Sequence, residues 1–112
     1  MNSILGIAQS GLTISSLRLA SSAHNVANAL TERFVPGRVE VEAVRGGGVT
    51  GRVVQDEPRV DAQVDRLAVE LSGTDLAQEM VNQSLAATSF LASLATLRTA
   101  DEMSSSLMDV ET

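Results

Sequence analysis

The sequence predicts a mainly α-helical chain with a small β insertion: a long helix at each end, the two paired as a coiled coil, and a short β-hairpin between them. Three features carry this prediction. Apolar residues recur every seven positions near both ends, the spacing of helices that offer a stripe to a partner helix. Over residues 38–42 the period drops to two, as in a half-buried strand. Residues 75–110 contain neither Gly nor Pro, whereas Pro36-Gly37, Gly46-Gly47-Gly48 and Pro58 punctuate the middle. The implied division is an N-terminal helix over 1–33, a β-rich middle over 34–72 and a C-terminal helix over 73–112, within one structural domain.

In the N-terminal segment Leu5, Leu12, Leu19 and Val26 repeat every seven residues, with Ala23 and Leu30 at intermediate positions. Ile4, Ile7, Ile14 and Leu17 make much of the remaining surface apolar, and Arg18 is the only formal charge in residues 1–31. A helix so uncharged, and otherwise so rich in small and hydroxylated residues, expects enclosure by other helices. A signal peptide is disfavoured because no basic region precedes Ile4 and Gln9-Ser10-Gly11 interrupts the apolar run. The serines and Arg18 also fall short of the about 20 apolar residues of a membrane span.

Pro36-Gly37 ends the first helix, and Arg38-Val39-Glu40-Val41-Glu42 alternates as a strand does. Gly46-Gly47-Gly48 makes a loop and Val49 to Gln55 reads as the second strand. After Pro58, Val60, Val64, Leu67, Ala68 and Leu71 recur at mixed intervals that fit either a short helix or a third extended segment. Arg38, Arg45, Arg52, Arg59 and Arg66 stand seven apart, but the glycines and proline among them prevent any helix from aligning them.

The C-terminal helix is the element around which the chain is organised. Met80, Ala87, Leu94 and Met108 share one seven-residue spacing, Phe90 and Leu97 another, and Leu91 widens the face. Thr74 and Asp75 supply N-cap chemistry, with Gln78 placed to complete a capping box. At 1.5 Å per residue this rod runs roughly 50 Å, too long to bury its stripe within so small a chain. The predicted assembly interface is therefore Leu5, Leu12, Leu19 and Val26 interlocking with Met80, Ala87, Phe90, Leu94 and Leu97, neighbouring subunits covering the rest.

Composition narrows the function. Of 112 residues only Phe34 and Phe90 are aromatic, so the apolar surface is Ala, Val, Leu and Met, suited to close helix packing. A net charge of −6 argues against a nucleic-acid partner. All eight basic residues are Arg, which excludes Schiff-base and P-loop lysines, and the absence of Cys excludes thiolate nucleophiles and disulfides. Residues 73–112 hold six acids against one Arg, residues 1–33 one acid against two Arg. The division suits a neutral helix inside and an acidic one towards water. His24, the only histidine, has no nucleophile beside it and reads as a packing residue. Asp101 and Glu102 point in adjacent directions on a helix and read as a solvated patch rather than a metal site. Nothing in the sequence calls for a cofactor or a metal or supports an enzyme.

Two segments carry a family likeness. Residues 10–34, SGLTISSLRLASSAHNVANALTERF, resemble the flagellar rod and hook signature, in which a Ser-Gly-Leu helix leads into Ala-Asn-x-x-Thr and an aromatic residue. Ser10, Gly11, Leu12, Arg18, Leu19, Asn25, Ala27, Asn28, Thr31 and Phe34 carry it. Residues 72–103 look like the matching terminal helix, through Asp75-Leu76, Glu79-Met80-Val81, Ala87, Phe90, Ala92 and Thr99-Ala100-Asp101-Glu102-Met103. His24 stands where Asn is common, Arg33 where Gly usually precedes the aromatic, and Phe34 and Phe90 where Tyr is common. The middle is short, without the proline-rich segment of many proximal rod proteins. The resemblance, closest to a short proximal rod protein, implies a structural subunit of the bacterial flagellar basal body. Such a subunit polymerises with its own copies and with other rod and axial proteins into the periplasm-spanning drive shaft. It also implies transit through the type III export apparatus without a cleaved signal peptide. From the residues alone, an acidic helical dimer acting as an adaptor or chaperone-like module is the competing class.

Overall fold

A computed structural model describes residues 2–55 and 74–110. Helix α1 spans Asn2–Ala27, strands β1 and β2 span Gly37–Ala43 and Val49–Gln55, and helix α2 spans Leu76–Val110. The architecture is the expected one: two long helices and, between them in sequence, one antiparallel hairpin. The mixed pattern from Val60 to Leu71, with Pro58, Arg59 and Arg66, lies outside the described residues.

Each element starts and stops for a local reason. The N-terminus of α2 is capped by Asp75, whose Oδ1 accepts the Gln78 backbone N–H at 3.2 Å. The reciprocal half of the capping box is not made: the Gln78 side chain turns forward and donates to Asn82 Oδ1 at 3.1 Å. The C-terminus of α1 is finished by Asn28, which donates to the His24 carbonyl at 3.0 Å, while Thr31 Oγ1 donates to Asn28 Oδ1 at 3.2 Å. Two residues on, Arg33 adopts φ 61°, a left-handed conformation that glycine takes without steric cost. That is the position where the resemblance expects Gly. Phe34 then folds back to meet the edge of His24, ring centroids 5.5 Å apart, so the lone histidine is a packing residue.

The hairpin pairs Val39 with Val53 and Glu40 with Arg52 across its strands. Its charged face carries Arg38 and Arg52 on either side of Glu40, at 3.0 and 3.3 Å, exposed ion pairs of small energetic weight. The other face lies on α1, where Gly37 and Gly51 approach Ser21 and Ile14. Gly46, Gly47 and Gly48 all have positive φ, and the Val44 N–H to Gly48 carbonyl bond closes the loop at 3.0 Å. The triple glycine supplies three consecutive residues in a region that side chains rarely enter.

Helix α1 is the shared element. Against one side packs α2, running antiparallel, and against another packs the hairpin; the backbones of hairpin and α2 stay apart. The molecule measures 75 × 25 × 14 Å, too thin to enclose a thick core. Among the described residues the buried apolar side chains are Ala8, Ile14, Ala86 and Ala100, joined by buried Ser15, Ser22, Asn25 and Glu79. The seam between the helices is therefore small and partly polar. Ala8, Ser15 and Ser22 on α1 repeat every seven residues, as do Glu79, Ala86, Ser93 and Ala100 on α2.

This corrects the expected interlock. The seven-residue period holds on both helices, but the phase is displaced on each: by three residues on α1, about 60° of helix rotation, and by one residue on α2, about 100°. Leu19, Met80 and Leu94 are 45%, 68% and 43% exposed rather than buried in the seam. Small side chains let the two backbones come close: a Cβ added to Gly11 would lie 2.9 Å from Ser93 Oγ. A leucine seam would hold the axes further apart and break the bond from Ser22 Oγ to the Glu79 carbonyl, 3.1 Å long.

Gly11→Leu should therefore lower unfolding stability by about 1–3 kcal/mol through overpacking, read from denaturant melts followed by circular dichroism. Gly6→Ala, where an added Cβ meets nothing within 4 Å, should instead raise it by about 0.5–1 kcal/mol. Equal effects of the two changes would contradict the close seam.

Candidate assembly interface

Three joints hold the elements in register. At one end of the hairpin, Ser10 Oγ donates to the Ile7 carbonyl at 2.7 Å and accepts the Val49 N–H at 3.1 Å, so the motif's serine fastens β2 to α1. The adjoining Gly11 lies on the α2 side, where it permits the approach of Ser93. At the other end stands Asn25, 2% exposed. Its Nδ2 donates to the Gly37 carbonyl at 2.8 Å and to Glu79 Oε1 at 2.9 Å, and its Oδ1 accepts the Gly37 N–H at 2.9 Å. One side chain thus ties the start of β1 and the first turn of α2 to α1.

The remaining motif residues divide by position. Asp75, Asn28 and Thr31 cap helices, and Ala100 sits in the seam. Thr99 and Met103 line an apolar cavity of about 320 Å³ with Ile4 and Ala95. Leu12 is half-buried, while Ala27, Met80, Asp101 and Glu102 are exposed. None of these side chains forms a catalytic constellation, and no group of metal-ligating residues occurs among the described residues. No helix among them is long and apolar enough to cross a membrane.

The large apolar residues form a second feature beside the seam. With about 100° of rotation per residue, Leu5, Leu12, Leu19 and Val26 fall to one side of the Ala8–Ser15–Ser22 line. Phe90, Leu94, Leu97, Ala87 and Met80 fall to one side of the Glu79–Ala86–Ser93–Ala100 line. Because the helices are antiparallel, these two sides coincide. They make one apolar face on the side of the pair away from the hairpin, which covers Ile7, Ser10, Ile14 and Ser21. On this face Leu5, Leu12 and Leu97 are half-buried where they border the seam, and the others are exposed. Sequence reasoning located this face and missed the seam beneath it, although Ser15, Ser22, Ala86 and Ser93 keep the same period.

An elongated helix pair with a small-residue seam, a clamped hairpin and its bulky apolar residues left outside defines a structural building block. Residues 67–110 match the family model described as flagellar basal body rod FlgEFG protein C-terminal. Through that segment the chain is similar to the flagellar basal body rod proteins, a structural family rather than an enzyme family. No curated protein matches the chain.

Asn25→Ala removes three hydrogen bonds, strands the Gly37 amide and leaves the Gly37 carbonyl with the Ser21 Oγ donor at 3.3 Å, and should cost about 2–4 kcal/mol in denaturant melts. Asn25→Asp keeps an acceptor for Gly37 N–H but sets a carboxylate against Glu79. It also loses both Nδ2 donor bonds, so it should be destabilised at least as much as Asn25→Ala in the same melts. At the end of α1, Arg33→Gly should hold stability within about 1 kcal/mol of wild type, while Arg33→Val should lose about 1–2 kcal/mol to the left-handed backbone. Thermal melts that rank Val above Gly would contradict that account.

Proposed function

We propose that this chain is a subunit that polymerises into the flagellar rod, the drive shaft crossing the periplasm, through the apolar face formed by Leu5, Leu12, Leu19 and Val26 with Met80, Ala87, Phe90, Leu94 and Leu97. The observation that carries this reading is the position of these residues: they lie outside the chain's own seam, on one continuous side of a helix pair. Burying each large apolar side chain is worth about 1.5–3 kcal/mol, a gain the isolated chain forgoes. Contact with copies of itself and with other rod and axial proteins recovers it. Passage through the flagellar export apparatus accompanies this role.

The test is the association state of purified chain across concentration. A rod subunit gives open, concentration-dependent polymers, whereas the competing adaptor reading gives a closed dimer of fixed mass in light scattering. Leu94→Asp should abolish polymer growth yet change monomer stability by less than about 1 kcal/mol, because the side chain lies outside the seam. Polymers that grow from Leu94→Asp as from wild type would remove this face from the interface.

A further inference from the structure

On the hairpin side of α1, β1 and α2 leave between them a notch of about 520 Å³, lined by Arg18, Asn25, Asp75, Gln78, Glu79 and Asn82 among others. Glu79 is its anomaly. The residue is 6% exposed, its Oε1 is held by Asn25, and its Oε2 is buried without a hydrogen-bond partner among the described residues. A glutamine would accept the Asn25 bond equally well and carry no charge. A carboxylate there leaves an acceptor that only a donor from elsewhere can satisfy.

The chain's own cations are all arginines; Arg18 lines the notch but does not bond Glu79 Oε2, and a second candidate lies elsewhere on the surface. Arg45 opens the glycine loop at the tip of the hairpin, is exposed, and makes no hydrogen bond or ion pair among the described residues. The tip lies over Ile7, while the notch lies at Asn25. Donor and acceptor are thus at opposite ends of the hairpin, roughly 27 Å apart along α1. Two complementary patches set apart along one molecule allow a head-to-tail contact, which propagates into an open filament where its rotation does not close.

We propose that the notch is an arginine receptor: the Arg45 guanidinium of a second copy enters it and donates to Glu79 Oε2. This rests on the reading of the chain as a self-assembling rod subunit. It adds an axial contact to the lateral apolar face.

The test compares wild type, Glu79→Gln, Arg45→Gln and the double variant for critical concentration of polymerisation, by sedimentation, and for monomer melting temperature. Each single change should raise the critical concentration about tenfold, roughly one charge-assisted contact, and the double variant should be no worse than either single one. Monomer melting should be unchanged for Arg45→Gln and unchanged or raised for Glu79→Gln. Additive losses in the double variant, singles that polymerise like wild type, or a Glu79→Gln monomer that melts lower in step with lost assembly would each overturn the contact. A wild-type chain that never polymerises would instead overturn the rod reading itself.

Discussion

The arrangement depends on one buried amide. Asn25 has a donor group and an acceptor, and every bond described for it crosses between elements: two to Gly37 at the start of β1, one to Glu79 in the first turn of α2. A thin molecule with four buried apolar side chains among its described residues has little hydrophobic burial with which to fix its elements. Directional bonds in a desolvated site do what bulk cannot, since each is specific in distance and angle and costly to leave unmade. The same constraint requires small residues along the seam. Only Ala, Ser and Gly permit the backbone approach at which Asn25 reaches Glu79 and Ser22 reaches the Glu79 carbonyl.

Function follows from what the seam leaves out. Had Leu12, Leu94 and Leu97 filled the interior of the pair, the chain would be a self-sufficient helical hairpin with an inert surface. With alanines and serines inside, the bulky residues become available on one side and the hairpin occupies another. A subunit so built is ordered internally by hydrogen bonds and keeps an apolar surface for the proposed contacts with other subunits. The likeness of residues 67–110 to the C-terminal part of flagellar basal body rod proteins is what the proposed use of this surface rests on.

Much of this was legible in the sequence. The hairpin was readable because Val39 and Val41 alternate with charges and because three consecutive glycines allow few backbones other than a tight loop. The helices were readable from their seven-residue period and from Asp75 as a cap. The phase of the seam was not, because hydropathy weights Leu and Met over Ala and Ser, although Ala8–Ser15–Ser22 and Glu79–Ala86–Ser93–Ala100 keep the same period. The clamp was not legible either. Asn25 and Glu79 stand 54 residues apart, and only the antiparallel register brings them together. The motif residues Ser10, Gly11, Asn28 and Thr31 were visible as a pattern, but their physical work as strand anchor, approach point and helix cap needed the geometry.

The central claim is that the bulky apolar stripe lies outside the chain's own seam and is covered by other subunits. The chain lacks cysteine, so single cysteines report accessibility without background. Leu94→Cys should react with a thiol reagent freely in dilute monomer and become protected in polymer, while Ala86→Cys should be protected in both. A Leu94→Cys that is shielded in the monomer, or that reacts as fast in polymer as in monomer, would contradict the account.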